Sequence, residues 1–153
     1  MTKALSGIGL KGNLIASKET HEIGRMVRAV SYVAVVDDDP SVCKALKRLL
    51  TAASFQTRTF VSALEFIDTL THGRPNCLVT DIQIPEFSGF DLHRYLRNTD
   101  QPVPTIVITA FDDTAIRSRC LTDGAVAYLT KPIDGPALLS ALHAATQAAL
   151  PNE

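Results

Sequence analysis

The sequence predicts an α/β fold, a doubly wound parallel sheet of five strands with helices on both faces. From residue 32 onward, short apolar runs rich in β-branched residues alternate with longer stretches of helical periodicity. Most of these runs are continuously apolar, which is typical of strands buried on both faces. The 153 residues are about the size of one ordinary domain, so a single folded core is expected.

The five strands are predicted at residues 32–36, 56–60, 77–80, 105–109 and 125–129. Four of them are continuously apolar. The second contains Gln56, Thr57, Arg58 and Thr59, and this polarity is typical of a strand at a sheet edge.

A helix is predicted after each strand. Asp39 and Pro40 suit the N-cap and first turn of the first helix. Its apolar stripe consists of Val42, Leu46, Leu49 and Leu50. The other helices are predicted at residues 62–71, 89–97, 113–122 and 135–149, the last capped by Asp134. Right-handed crossovers between five such units place helices on both faces of the sheet.

Residues 1–31 differ in composition and are predicted to be a flexible N-terminal extension, followed by a folded domain at 32–150 and a tail at 151–153. The extension contains five basic and two acidic residues, a net charge of +3. It also contains a G-x-G-x-x-G motif at residues 7–12. We do not expect a dinucleotide-binding fingerprint here, because that motif must follow a strand and only six residues precede this one.

Composition excludes several classes of protein. A net charge of −1 gives no electrostatic reason to expect direct nucleic-acid binding. Three cysteines without a C-x-x-C pair argue against a disulfide framework or a zinc site. No run approaches the roughly 18 apolar residues of a membrane span, and no signal peptide is evident. A cytoplasmic protein without membrane contact is expected.

Polar side chains follow the predicted strands at their carboxyl ends, where open α/β sheets bind ligands. They are Asp37, Asp38 and Asp39 after the first strand, Asp81 after the third, Thr109 at the end of the fourth, and Lys131 with Pro132 after the fifth. Each has an ordinary structural explanation when taken singly: Asp39 as a helix cap, Thr109 as a strand end, Lys131 as a solvated turn residue. Together they predict one site.

Carboxylates gathered at one sheet edge repel one another. At an effective dielectric of 20, two unit charges ~4 Å apart interact by roughly 4 kcal/mol. The cluster therefore predicts a bound cation. Mg²⁺ is the natural candidate, because it prefers oxygen ligands, keeps several waters, and binds through one or two carboxylates plus phosphate oxygens.

Four motifs carry a family resemblance: V-V-D-D-D-P at residues 35–40, T-D-I-Q-I-P-E-F-S-G at 80–89, V-I-T-A at 107–110 and A-Y-L-T-K-P at 127–132. They resemble the receiver domains of bacterial response regulators, particularly those of nitrogen-fixation and nitrate-type regulators. The resemblance spans residues 32–149 and implies a flavodoxin-like (β/α)5 fold with strand order 2-1-3-4-5.

The resemblance also implies roles for individual residues. Asp81 is the implied phosphoacceptor. Asp37 and Asp38 are implied to hold Mg²⁺ with Asp81, directly or through water, and Gln83 to contribute its backbone carbonyl.

Three further residues are implied to respond to the phosphoryl group. Lys131 binds one of its oxygens, the Thr109 hydroxyl closes on it, and the Tyr128 ring follows Thr109 inward. The loops are shaped by Pro85, Gly89 and Pro132.

Two positions depart from the family pattern. Ile84 stands where Met is usual, and Cys43 where many relatives have Arg. Neither removes a chemical group from the site, and Cys43 is expected to be a small buried residue rather than a redox group.

The implied function is that of a signalling phosphoacceptor that catalyses only its own phosphorylation and dephosphorylation. The implied donor is a sensor histidine kinase or phosphotransfer protein. Output is expected through a downstream protein target or a separate output domain. A homodimer through the face formed by helix four, strand five and helix five is left open.

Two alternatives remain. A phosphatase of the haloacid dehalogenase type would use Asp37 as nucleophile, since Asp37 and Asp39 also follow a first strand. That family expects a further acidic cluster after its lysine, and it gives Asp81 no role. A receiver-like interaction module that is never phosphorylated usually lacks a site residue, and none is missing here.

Overall fold

The computed structural model describes residues 31–148. The predicted extension, apart from Ser31, and the predicted tail lie outside these residues, as does the glycine motif at 7–12. The strands are β1 (Val33–Val36), β2 (Thr57–Phe60), β3 (Cys77–Asp81), β4 (Thr105–Thr109) and β5 (Ala127–Thr130). The helices are α1 (Pro40–Ala52), α2 (Ala63–Thr69), α3 (Gly89–Arg97), α4 (Thr114–Thr122) and α5 (Gly135–Ala148), with a 3₁₀ turn at Leu70–His72 after α2.

The strands form one sheet in the order β2-β1-β3-β4-β5, and every pair is parallel. The predicted fold class and strand order are confirmed. The second strand lies at the edge, as its polarity predicted, and Arg58 in its middle is exposed.

An apolar layer covers each face of the sheet. Successive residues of β1 point to opposite faces, so they pack alternately into the two layers. Val33 and Val35 pack on α1 and α5, whereas Ala34 and Val36 pack on α2 and α3. Under α1 and α5 the buried helix residues are Cys43, Leu46, Leu50, Leu138, Leu142 and Ala145. Under α2 and α3 they are Ala63, Phe66, Leu92 and Leu96. Burial on both faces explains why the strands are continuously apolar.

The end of α4 explains why β5 begins later than predicted. Gly124 adopts a positive φ of 98° after the helix, a conformation that glycine adopts without strain. The N–H groups of Gly124 and Ala125 then donate to carbonyls of the last turn of α4. These residues close the helix, so the strand starts at Ala127 and continues to Thr130, which pairs with Thr109.

Four of the helices begin at side-chain caps, whereas the cap predicted at Asp134 for α5 stays a prediction. Asp39 accepts the backbone N–H of Ser41 at 2.9 Å, which confirms it as the N-cap of α1. Ser62, Ser88 and Asp113 cap α2, α3 and α4 in the same way. Within residues 31–148, none of the helices is long and apolar enough to cross a bilayer.

Candidate functional site

The parallel register brings Asp37 and Asp81 side by side. Val36, the last residue of β1, pairs with Thr80 of β3, so the residue after each lies at the same sheet edge. Both carboxylates are buried, with Asp37 0% and Asp81 5% exposed, whereas Asp38 is exposed. Each of these three side chains offers a carboxylate oxygen, and the three oxygens lie within 4.8 Å of one another.

Lys131 joins the two buried carboxylates from the far edge of the sheet. Its Nζ lies 2.8 Å from Oδ2 of Asp37 and 2.7 Å from Oδ2 of Asp81. The lysine directly follows β5 and is anchored there, since its backbone N–H donates to the Thr109 carbonyl. The predicted convergence of acidic and basic groups at one edge is therefore present.

Backbone N–H groups hold the remaining oxygens of the two buried carboxylates. The N–H of Asp39 donates to Oδ1 of Asp37, and the N–H of Gln83 donates to Oδ1 of Asp81, each at 2.9 Å. Each of the two carboxylates is thus fixed by a backbone N–H donor of its own and by the Lys131 ammonium group, which both share. The role predicted for the Gln83 carbonyl stays a prediction.

Burial and pairing compete in setting the pKa values. Burial raises the pKa of Asp37 above its ordinary value, although the hydrogen bonds from Lys131 and Asp39 act in the opposite direction. Burial acts to lower the pKa of Lys131, but its hydrogen bonds to Asp37 and Asp81, together with their negative charges, leave that pKa raised. Lys131 is therefore a firmly charged cation at neutral pH.

The donor set fits Mg²⁺. It consists of carboxylate oxygens without Cys or His, and three carboxylates against one ammonium group leave a net negative charge. Two of the carboxylates are buried and one faces solvent, which suits an ion that keeps part of its water shell.

Thr109 and Tyr128 form a second group beside the acidic cluster. The Thr109 hydroxyl donates to the Phe111 carbonyl at 3.2 Å and accepts the Phe111 N–H at 3.1 Å. Tyr128 is 4% exposed and packs against Val107 and Cys120. Across residues 31–148, neither hydroxyl hydrogen-bonds to the acidic cluster.

The loop after β3 requires glycine at its end. The N–H of Gly89 donates to the Ile82 carbonyl at 3.0 Å. A Cβ at Gly89 would overlap the carbonyl oxygen of Asp81, so α3 can begin this close to the strand only at glycine. Pro85 is exposed in the same loop, and the peptide bond between Lys131 and Pro132 is cis.

Cys43 is a buried residue of α1, as predicted. Its Sγ lies 3.2 Å from the Asp37 carbonyl oxygen, and burial raises the pKa of the thiol. A raised pKa suppresses the reactive thiolate, which supports a structural role.

The sequence did not identify Phe111, Asp113 or Arg117 as neighbours of Tyr128. The Tyr128 hydroxyl contacts the backbone of Phe111 and Asp113, and the Arg117 guanidinium lies 4.7 Å from the centre of its ring. These contacts depend on how α4 packs beside β5. Of these residues, only Asp113 was marked in the sequence, as the predicted start of the helix at residues 113–122.

Comparison of the sequence with known proteins supports this architecture. Residues 33–143 match the response regulator receiver domain family. The response regulator protein TodT of Pseudomonas putida is 32% identical over 119 residues, which cover 78% of this chain and 52% of TodT. The chain thus spans about half the length of such relatives.

Two solved structures give the same result. A response regulator receiver protein from Burkholderia phymatum is 38% identical with a TM-score of 0.68, covering 80% of this chain and 99% of its own. FixJ-N is 30% identical with a TM-score of 0.72, covering 80% and 98%. With its fold, its acidic cluster and a match over most of its length, the chain belongs to the response regulator receiver domain family of two-component signalling.

Proposed function

We propose that this chain accepts a phosphoryl group onto Asp81 and signals by protein contact. The donor is a phosphohistidine on a sensor histidine kinase or a phosphotransfer protein. The observation that carries the proposal is the position of Lys131, whose ammonium group bridges buried Asp37 and Asp81 at the ends of neighbouring strands. Such a cation beside a fixed carboxylate suits chemistry on a phosphoryl group.

In the proposed step, an oxygen of Asp81 attacks phosphorus in line. An O–P bond forms as the N–P bond to the donor histidine breaks, and the electron pair of that bond stays on the imidazole nitrogen. The Gln83 N–H fixes one carboxylate oxygen of Asp81 at 2.9 Å and so orients the nucleophile. Lys131, now on Oδ2 of Asp81, is close enough to pair with a phosphoryl oxygen instead.

Asp37, Asp38 and Asp81 are proposed to hold Mg²⁺, with the Gln83 carbonyl as a further ligand. When bound, Mg²⁺ supplies positive charge that offsets the charge of the phosphoryl oxygens. A bound cation would offset the repulsion among the three aspartates, and Lys131, which pairs with Asp37 and Asp81, would be available to contact the phosphoryl group.

Thr109 and Tyr128 are proposed to transmit the change. A phosphoryl group adds close to two negative charges and strong acceptor oxygens. The Thr109 hydroxyl, now on the Phe111 backbone, would turn to these oxygens. Tyr128 is already buried without a phosphoryl group, so it would stay in the pocket behind Thr109 instead of moving inward as the resemblance implied. The surface of α4, β5 and α5 would then favour a downstream target, a separate output domain or a second copy of the chain.

The remaining expectations belong to the same proposal. The chain catalyses only its own phosphorylation and dephosphorylation, in the cytoplasm, without direct contact to nucleic acid or membrane. The phosphatase alternative is less well supported, because Asp39 is engaged as the N-cap of α1 through Ser41 and the family match favours a receiver.

Phosphorylation by a small acyl phosphate in the presence of Mg²⁺ tests the proposal. The product is trapped with borohydride, and the modified peptide is mapped. We expect modification at Asp81 and none in Asp81→Asn. Modification at Asp37 would support the phosphatase, and an unmodified protein would support the interaction module. Asp100→Asn, which changes an exposed aspartate in the loop before β4, is the matched control.

A further inference from the structure

Arg117 covers the ring of Tyr128. Its guanidinium carbon lies 4.7 Å from the ring centre, and one of its nitrogens lies 3.4 Å from the Asp112 carboxylate. The Arg117 side chain is 41% exposed, whereas Tyr128 is 4% exposed. The guanidinium thus stands between the ring and solvent.

The hydroxyl of the same tyrosine is held by the loop before α4. It accepts the Asp113 N–H at 3.3 Å and donates to the Phe111 carbonyl at 3.4 Å. The Phe111 backbone also holds the Thr109 hydroxyl. An unbroken series of contacts therefore joins Arg117 to Thr109 through Tyr128.

These hydroxyl contacts are long, so they hold the ring weakly by themselves. The ion pair with Asp112 is exposed and contributes little. The stacking of Arg117 on Tyr128 is an additional contact of the buried ring, and we expect it to be lost when the ring turns to solvent. A contact that is made in only one of two states raises the ratio of that state to the other by the factor that corresponds to the free energy of the contact.

We propose that Arg117 is a positioning residue that holds Tyr128 in the buried arrangement before phosphorylation. The inference rests on the proposed function of Thr109 and Tyr128. If the buried ring accompanies the Thr109 position that receives the phosphoryl group, Arg117 reduces the conformational cost of phosphorylation. It acts through Tyr128 and does not touch the reacting atoms.

Arg119 provides a matched control on the same helix. Its guanidinium carbon lies 4.1 Å from the ring centre of Phe90, so Arg119 makes the same kind of contact with a different aromatic residue. Arg117→Ala and Arg119→Ala remove equal charge from α4. Arg117→Lys keeps the charge but removes the planar group.

The test uses protein labelled with 3-fluorotyrosine. The chain has three tyrosines, and Tyr→Phe variants assign their fluorine resonances. We expect Arg117→Ala, without phosphoryl donor, to shift the Tyr128 resonance toward that of an exposed ring. The ratio of buried to exposed ring should fall about two- to fivefold, the factor that an exposed cation–π contact supports. Arg119→Ala should leave this ratio unchanged. Arg117→Lys should lower the ratio less than Arg117→Ala does.

An unchanged Tyr128 resonance in Arg117→Ala, or an equal shift in Arg119→Ala, would overturn the inference. The initial rate of phosphorylation by a small acyl phosphate with Mg²⁺ should fall in Arg117→Ala in proportion to the fraction of molecules in which the Tyr128 ring is buried. A shifted resonance with an unchanged rate would refute the link to phosphorylation. If the wild type is not phosphorylated at all, the proposed function fails, and the fluorine measurement still decides whether Arg117 positions Tyr128.

Discussion

Asp37 illustrates how burial and charge oppose each other at a single residue. It is fully buried, and burial raises its pKa even though Lys131 and the Asp39 N–H favour the charged form. Asp38 and Asp81 add like charges close by. Without a cation, this cluster holds more negative charge than Lys131 neutralises, so removing one carboxylate should help the fold.

Asp38→Asn should therefore stabilise the protein when no divalent cation is present. Asp38 is exposed, so the gain in the free energy of unfolding should be only about 0.5 kcal/mol, within the range for exposed charges. Urea denaturation in the presence of a chelator measures it. The control Asp100→Asn, which changes an exposed aspartate in the loop before β4, should leave the free energy of unfolding unchanged. A loss of stability in Asp38→Asn would contradict this electrostatic account.

The pKa of Asp37 also predicts a pH dependence. Because the folded pKa lies above the ordinary 3.8, the contribution of this carboxyl to stability is fully present below 3.8 and is lost as pH rises through the folded value. The carboxyl carbon shift of Asp37, followed by NMR against pH without metal, should have its midpoint above 3.8. A midpoint at or below that value would show that Lys131 outweighs burial.

At the scale of elements, the strand ends position the site, and their boundaries were the least predictable feature. The strand β3 includes Asp81 itself, one residue beyond the prediction. The strand β5 starts late because Gly124 and Ala125 close α4. Apolar periodicity marks where a strand is buried, but hydrogen bonds to neighbouring elements decide where it begins and ends.

The contact between β3 and α3 gives a prediction at this scale. Gly89→Ala should destabilise the protein by about 1–3 kcal/mol, the usual cost of overpacking, because its Cβ would overlap the Asp81 carbonyl. Denaturant unfolding measures the loss. Gly135→Ala is the matched control, since a Cβ there meets only the side chain of Leu49, at 3.4 Å. Equal stability in the two variants would refute the close approach.

For the molecule as a whole, the family resemblance supplied the strand order, whereas the sequence itself predicted a parallel sheet with polar residues converging at one edge. The reason is physical: parallel strands buried on both faces are continuously apolar, and their carboxyl ends meet at one edge. The contacts of Tyr128 with Arg117 and the Phe111 backbone were not predictable. They arise from the way α4 packs beside β5. The apolar periodicity of the sequence predicts the helix and the strand but not which of their side chains touch.

Metal binding should stabilise the entire domain, since only the folded chain brings Asp37, Asp38 and Asp81 together. At a Mg²⁺ concentration 100 times the Kd, the expected gain is about 2.7 kcal/mol in the free energy of unfolding. Urea midpoints over a Mg²⁺ series measure this gain. Asp38→Asn, which lacks one proposed ligand, should need more Mg²⁺ for the same gain. An identical Mg²⁺ response in both proteins would exclude Asp38 from the site.

Asp81 is proposed to take up a phosphoryl group, and the acidic cluster is proposed to make this reaction depend on metal. Intact mass spectrometry during incubation with a small acyl phosphate tests it most directly, with Mg²⁺ or with a chelator. We expect one added phosphoryl group in the wild type with Mg²⁺, very little with the chelator, and none in Asp81→Asn under either condition. Equal modification with and without metal, or modification that persists in Asp81→Asn, would contradict it.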